Sequence, residues 1–410
     1  MKLSFPKEKI KIVLFERIHD NAVNTFKKAG YPNVELLDRA YSEEELIEKL
    51  KDVRIIGVRS KTQITKRVLE NAPKLLGVGC FCIGTNQVDL ECATEKGVVV
   101  FNSPYSNTRS VAELVIAEIV MLMRGIPEKN VAAHKGKWLK KAVGSFEVRG
   151  KTLGIIGYGH IGSQVSVLAE AMGMHVIYYD ILPKLPMGNA QAKDSMQAVL
   201  EEADVVSLHV PSTPETKNMI TATELAQMKK GAALINLSRG NVVVINALKA
   251  ALESGHIRGA ALDVFPVEPK SKNHAFESAL QGMDNVILTP HIGGSTEEAQ
   301  ANIGIDAASK LISYLDTGST VNSHSIPSLH LPRQQGTHRI LHIHKNESGV
   351  MTAINRTLSE LNVNLTGQYL KTNEDVGYVV LDVKQSQSVS DQLLSKLQNI
   401  KHTIKARILY

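Results

Sequence analysis

"GIIGYGHIGS", residues 154–163, is the stretch whose reading decides the fold. An apolar run ends in three glycines, Gly157, Gly159 and Gly162, spaced G-x-G-x-x-G. The first allows a tight strand-to-helix turn, the second lets the main chain approach a pyrophosphate, and the third lets helix and strand pack closely. The helix start then offers unpaired N–H groups and a positive dipole end to phosphate oxygens. The spacing alone also suits a plain tight turn, so its context decides. The motif follows an apolar strand at 153–156, and the next strand, "VIYYD", ends at Asp180. An acid about 20 residues on can bond a ribose 2′-hydroxyl and repels a 2′-phosphate. NAD is therefore expected rather than NADP, with Lys184 the one nearby cation arguing otherwise.

Some 150 residues precede this motif, and the whole chain has 410 residues, which suggests two or three domains. It is 43% hydrophobic and 21% charged, ordinary for a chain that buries a large core. The net charge of +6 is spread along the chain rather than gathered in an arm. That suits anionic small molecules and gives no nucleic-acid-binding tail. No apolar stretch reaches the ~20 residues of a membrane span. The longest, "LVIAEIVMLM", is interrupted by Glu118, and the first residues read as a strand rather than a signal peptide. A cytoplasmic protein without membrane contact is expected. Cys80, Cys82 and Cys92 are odd in number and lack zinc-finger spacing, so free thiols and no metal site are expected.

Short apolar strands alternate with helical segments through most of the chain. Strands are expected at 11–16, 33–38, 54–60, 75–82 and 97–102, and Ser42 with Glu45 forms a capping box. A long helix follows at 107–125, with Thr108 as its N-cap. Past the glycine motif come strands at 176–180, 204–210, 232–238, 259–265 and 285–291, then a second long helix at 295–318. Such βαβ punctuation implies parallel sheets covered by helices, an α/β fold. Residues 319–337 read as a linker, and the remainder reads strand, helix, strand, strand, helix, strand, the ferredoxin-like α+β pattern.

Three polar residues close the later strands: Arg239, Glu268 and His291. Ligands of open parallel sheets bind outside the carboxyl ends of the strands, so all three point at the edge where a nicotinamide should lie. Each alone also fits a solvated loop. Together they fit hydride transfer to a 2-oxo acid. Arg239 can clamp a carboxylate and polarise the adjacent carbonyl, His291 can exchange the hydroxyl proton, and Glu268 can hold the other imidazole nitrogen.

"GIIGYGHIG", "INLSRGNVV", "ALDVFPVEP" and "LTPHIGGSTEEAQ" resemble the D-isomer-specific 2-hydroxyacid dehydrogenases. The resemblance implies those roles for Arg239, Glu268 and His291. It also implies cofactor contacts at His160, Ile161, Leu237, Ser238, Asp263, Gly293 and Gly294, beside Gly157, Gly159, Gly162 and Asp180. It implies a Rossmann-type cofactor domain, 108–295, inserted in an α/β substrate domain, 1–107 with 296–325, with the active site in the cleft. A linker at 326–337 and a regulatory ACT domain at 338–410 complete the expected organisation.

By the same resemblance, Arg59, Ser60, Lys61 and Asn107 contact the substrate, and Lys140 and Lys141 meet a substrate phosphate. A lysine run equally fits a solvated face. Trp138, the one tryptophan, fits either a subunit contact or ordinary packing. His344, Asn346 and Asn364 match the pattern that binds L-serine as effector in resembling enzymes, although "ESG" lacks the proline that commonly precedes this glycine. His342 and His344 share a strand face, but a third metal ligand is missing nearby. The expected protein is a homotetrameric NAD enzyme acting on a phosphorylated 2-hydroxy acid, with 2-oxoglutarate as a side substrate.

Overall fold

The structure is a computed structural model that describes residues 5–269, 274–332, 334 and 336–409. The chain divides into two compact units, residues 107–299 and residues 1–106 with 300–410.

In the first sheet β1 (Ile12–Leu14), β2 (Val34–Leu36), β3 (Ile55–Val58), β4 (Gly77–Cys80) and β5 (Val99–Asn102) lie parallel in the order β2-β1-β3-β4-β5. β3, β4 and β5 read IIGV, GVGC and VVFN and are buried throughout, as strands covered on both faces must be. The expected Ser42–Glu45 capping box forms.

The middle unit holds β6 (Thr152–Ile156), β7 (His175–Tyr179), β8 (Gln191–Ala192), β9 (Val205–Leu208), β10 (Ala232–Asn236), β11 (Ile257–Leu262) and β12 (Val286–Leu288). Their order is β12-β11-β10-β9-β6-β7-β8, all parallel. The chain winds outward from β6 in one direction and then from β9 in the other. The switch point between β6 and β9 is where such sheets bind ligands. The helix Thr108–Arg124 packs Val111, Val115 and Ile119 on one face of this sheet and ends at Gly125 in the left-handed conformation. Its N-cap is Asn107, not Thr108, which is the first helical residue.

The C-terminal strands β13 (His338–Lys345), β14 (Leu365–Thr372), β15 (Val376–Val383) and β16 (Thr403–Leu409) form an antiparallel sheet in the order β14-β15-β13-β16. Two helices, Val350–Glu360 and Gln387–Gln398, complete the expected ferredoxin-like pattern. β13 is buried on both faces because alternate residues serve two cores. Ile340 packs with Ile354 and Leu393, while Leu341 and Ile343 join Leu311 and Tyr314 of the helix Glu297–Thr317.

The segment read as a linker is not loose at its start. Thr320, Ser325 and Ile326 are buried. Ser325 Oγ donates to Val98 O and accepts from Val100 N, so the segment covers the edge strand β5. At its end Arg339, 1% exposed, uses all five N–H donors. It makes two bonds to Asp382 of β15 (2.7 and 2.8 Å) and three to the carbonyls of Thr317, Leu331 and Pro332. This buried ion pair fastens the segment to the C-terminal sheet. Among the described residues no helix is long and apolar enough to cross a membrane.

Candidate active site

The glycine turn behaves as its spacing predicts. Gly157 has φ +93°, and a Cβ there would strike the carbonyl of His209 at the end of β9. A Cβ on Gly162 would strike the Gly157 carbonyl. Gly159 differs, since a Cβ there would meet nothing within 4 Å. Nothing within the protein demands a glycine at 159, whereas a pyrophosphate approaching the main chain does. The helix His160–Ala171 begins there without a side-chain cap, leaving its first N–H groups for an anion. Asp180 accepts from Tyr158 N (2.8 Å) and Leu182 N (2.9 Å), tying the glycine turn to the end of β7. Beside it, Ile181 and Leu185 are 86% and 91% exposed, an apolar lip suited to a flat heterocycle. These residues fit a bound dinucleotide. The lip and His209 escaped the sequence reading, although "LHVP" closing a strand beside the motif was the available signal.

The three catalytic candidates stand on neighbouring strand ends. Asn236, fully buried at the end of β10, accepts from Ser238 N (3.0 Å) and Oγ (2.7 Å) and donates to Arg239 O (3.0 Å). That fixes the turn carrying Leu237, Ser238 and Arg239. The next residue must be glycine, because a Cβ on Gly240 would overlap the main chain of Phe265. The turn after β10 is thereby pressed against the turn after β11 that leads to Glu268.

Glu268 Oε1 accepts from Phe265 N (3.2 Å), and Oε2 lies 2.8 Å from His291 Nδ1. A carboxylate can only accept, so Nδ1 carries the proton and Nε2 is left for a substrate. The hydrogen bond to Glu268 raises the His291 pKa, against partial burial and the charge of Arg239. Glu268 is held below the usual carboxylate range. Burial opposes this, but the bond to His291 and the charges of His291 and Arg239 outweigh it. Arg239 thus acts electrostatically on both partners.

His291 has φ +55°, a left-handed conformation that non-glycine residues adopt only under constraint. The constraint comes from Asp263, 1% exposed at the end of β11. Its carboxylate accepts from Thr289 Oγ1 (2.6 Å), Ile292 N (2.8 Å) and Gly293 N (2.7 Å). The carboxylate of Asp263, a residue expected as a cofactor contact, holds the His291 turn. Asn107 packs against Gly294, where a Cβ would collide with its amide, so this substrate candidate stands beside the same turn. His160 is exposed at the helix start and Ile161 is half-buried.

Other candidates lie apart from these. In the unit formed by residues 1–106 and 300–410, Arg59, Ser60 and Lys61 follow β3 in a turn organised by Glu16. The Glu16 carboxylate accepts from Arg59 N (3.2 Å), Lys61 N (3.1 Å) and Thr62 N (2.8 Å). Glu16 and Arg17 both hold positive φ, 60° and 51°, to bring it there. Gln87, 2% exposed, donates to Arg59 O (2.9 Å). Glu16 was not legible as a functional residue, since a lone acid after a strand carries no motif. In the middle unit, Lys140 and Lys141 lie exposed in an irregular segment with Trp138, which is 85% exposed rather than packed.

The serine-site candidates do not converge within one chain. His344 is buried with its ring over Gly377, and Asn346 donates to Asn373 O (2.8 Å) at the same end of the sheet. Asn364 precedes Leu365, whose partner Val383 also pairs His338 at the opposite end. Six strand residues separate the two ends, roughly 20 Å. His342 is buried, with Nε2 2.9 Å from Thr403 Oγ1.

Comparison with known proteins agrees with this geometry. Residues 116–293 match the family described as D-isomer specific 2-hydroxyacid dehydrogenase, NAD binding domain, and residues 340–405 match an AHAS small subunit-like ACT domain. The chain is 54% identical over 409 residues to D-3-phosphoglycerate dehydrogenase of Haemophilus influenzae, covering 100% of this chain and 99% of that one. The chain belongs to the D-3-phosphoglycerate dehydrogenase family. The family's Escherichia coli K12 and Dictyostelium discoideum enzymes are 52% and 49% identical, over 100% and 99% of both chains respectively. Among solved structures, D-lactate dehydrogenase of Aquifex aeolicus complexed with NAD and lactic acid is 28% identical, with a TM-score of 0.64. It is matched over 77% of this chain and 100% of that one. This member of the D-3-phosphoglycerate dehydrogenase family is an NAD-dependent oxidoreductase with a Rossmann-type domain and an ACT domain.

Proposed function

We propose that this protein oxidises D-3-phosphoglycerate to 3-phosphohydroxypyruvate, catalyses the reverse reduction, and is inhibited by L-serine. The observation that carries the chemistry is the 2.8 Å contact between His291 Nδ1 and Glu268 Oε2, with Arg239 close enough to perturb both groups.

In the oxidation, Arg239 holds the substrate carboxylate and polarises the adjacent C2–O bond. His291 takes the hydroxyl proton at Nε2, and Glu268 stabilises the imidazolium that forms. NAD, when bound, accepts the hydride from C2. The glycine turn and the helix starting at His160 would hold its pyrophosphate, and Asp180 its ribose. In the reduction, the His291 imidazolium returns the proton to the developing alkoxide. Arg59, Ser60 and Lys61, in the turn organised by Glu16, are proposed substrate contacts, as are Asn107, Lys140 and Lys141. The diacid 2-oxoglutarate is a proposed side substrate, its second carboxylate standing in for the phosphate.

The serine site is proposed to form between two copies of the C-terminal module. Exposed β14 is an edge strand. Two copies pairing through it in antiparallel fashion bring Asn364 of one chain to the end that carries His344 and Asn346 of the other. Exposed Trp138 and Val143, 85% and 92% open, supply a second surface for a tetramer.

NADH oxidation measured with 3-phosphohydroxypyruvate, with and without L-serine, and with unphosphorylated hydroxypyruvate tests this reading. Fast turnover of the phosphorylated acid, suppressed by serine and rescued from serine by Asn346→Ala, is the expected result. Equal turnover of both acids removes the substrate assignment. Inhibition persisting in Asn346→Ala removes the serine site.

A further inference from the structure

A cavity lies within the unit formed by residues 1–106 and 300–410, bordered by the N-terminal residues and by the outer edge of the C-terminal sheet. Its volume is about 440 Å³, within the size range of small-ligand sites. Phe5, Leu394 and Ile408 give it apolar walls. Lys7, Arg54, Arg407 and Gln398 give it donors, and Asp316 is the one acid in the lining.

The charges in and around this cavity do not balance. Asp316 is already engaged, accepting from Lys7 Nζ (2.7 Å) and Tyr31 OH (2.6 Å). Arg54 stacks on Phe5, its guanidinium carbon 3.8 Å from the ring centre. Arg407 stacks on Tyr314 and donates to the Tyr314 carbonyl (2.6 Å), while its Nε is buried without a partner. Lys405, two residues along the same strand and on the same face, donates to the Leu75 carbonyl (2.8 Å). Neither Arg54, Lys405 nor Arg407 has a carboxylate partner among the described residues. Burial, then Arg407, lowers the Arg54 pKa. Burial, followed by Arg407 and Arg54, pushes Lys405 down to about 8. Like charges gathered in a partly desolvated recess repel each other, and an anion placed among them removes that cost. Guanidinium groups offer the planar fork that phosphate oxygens accept.

We propose that this cavity binds a small phosphomonoester, with its phosphate between Arg54 and Arg407 and its carbon skeleton against Phe5, Leu394 and Ile408. The site is separate from the Arg239–Glu268–His291 site, which belongs to the other unit, and the inference does not rest on the substrate proposed above. Arg54 precedes β3 of the first sheet, and Arg407 belongs to β16 of the C-terminal module. A phosphate held by both ties the module to the first sheet.

Hydrogen exchange on the full-length protein tests this, with inorganic phosphate and glycerol 3-phosphate as probes and chloride at matched ionic strength as control. Both probes are expected to slow exchange several-fold and saturably in peptides covering residues 52–56 and 403–409. Glycerol 3-phosphate should act at lower concentration, because only it reaches the apolar walls. Arg54→Gln should weaken the effect at least tenfold. That side chain makes no hydrogen bond among the described residues, and NADH oxidation without added inorganic phosphate should be unchanged. Arg407→Gln should do the same from the other side of the cavity. Protection confined to residues 157–163 would place phosphate in the glycine turn alone and overturn the proposal. Equal protection in wild type and Arg54→Gln would overturn it too, as would protection by succinate but not by phosphate.

Discussion

Replacing Glu268 separates two things that its carboxylate does for His291: it supplies charge and it sets orientation. Glu268→Gln keeps an acceptor for the Nδ1–H bond and removes only the charge. The two side chains are 36% and 54% exposed, so solvent screens the pair and its charge–charge part is worth about 1 kcal/mol. Lost stabilisation of the imidazolium then lowers kcat about fivefold, since 1.4 kcal/mol corresponds to about tenfold. Glu268→Ala also removes the bond that anchors the ring and frees Phe265 N. Misplacement of a catalytic group by about 1 Å costs on the order of 10²-fold, so the alanine variant should be slower by about that factor. The sign of the pH effect follows from the raised His291 pKa. Oxidation needs neutral His291, so kcat/KM falls as pH drops through that pKa. Both variants lower the pKa, the glutamine by removing the Glu268 charge and the alanine by removing the hydrogen bond as well, and the acid limb should move to lower pH, further in the alanine variant. Steady-state oxidation followed by NADH absorbance from pH 5.5 to 10 measures all of this. An alanine variant no slower than the glutamine variant, or an acid limb that stays in place, would refute the orientation-plus-charge account.

The remaining predictions concern other parts of the same framework. His291→Asn should lower kcat by roughly 10²–10⁴ while NADH binding, followed by fluorescence, is retained. Near-normal turnover would remove His291 from the mechanism. Glu16→Ala should release the three main-chain donors of the Arg59–Thr62 turn and raise KM for 3-phosphohydroxypyruvate about tenfold with little change in kcat. An unchanged KM would detach that turn from substrate binding. Arg339→Ala leaves Asp382 as an uncompensated buried charge and should cost about 3–5 kcal/mol in urea denaturation. Arg339→Met combined with Asp382→Leu should recover most of that loss. If the double variant is as unstable as the single one, the buried pair is not the cause.

Local chemistry determined much of this protein in advance. The glycine spacing at 157, 159 and 162, Asp180 at the end of the next strand, and polar residues at successive strand ends rest on period and turn geometry, which are written in neighbouring residues. So did the alternation of strand and helix and the pattern of the C-terminal module. Asn107 replaced Thr108 as N-cap because boundary residues answer to what packs around them, here Gly294. Thr320, Ser325 and Ile326 look like a polar linker by composition but are buried, because an uncovered edge strand needed hydrogen-bond partners.

Tertiary structure alone decided what each side chain faces. Asp263 lies at a strand end, as a cofactor contact would, yet its carboxylate meets two amides and a hydroxyl of a turn some thirty residues on and imposes the left-handed conformation of His291. Glu16 reaches across to Arg59, Lys61 and Thr62, more than forty residues away. Asn364 and His344, close together in the sequence of a small module, lie at opposite ends of its sheet because β13 and β14 run in the same direction, so the end of the first and the start of the second are a strand length apart. The cations around Arg407 come from segments more than three hundred residues apart. Periodicity and turn chemistry act over a few residues and can be read along a chain, whereas electrostatic partners are chosen by proximity in space, which only the folded chain creates.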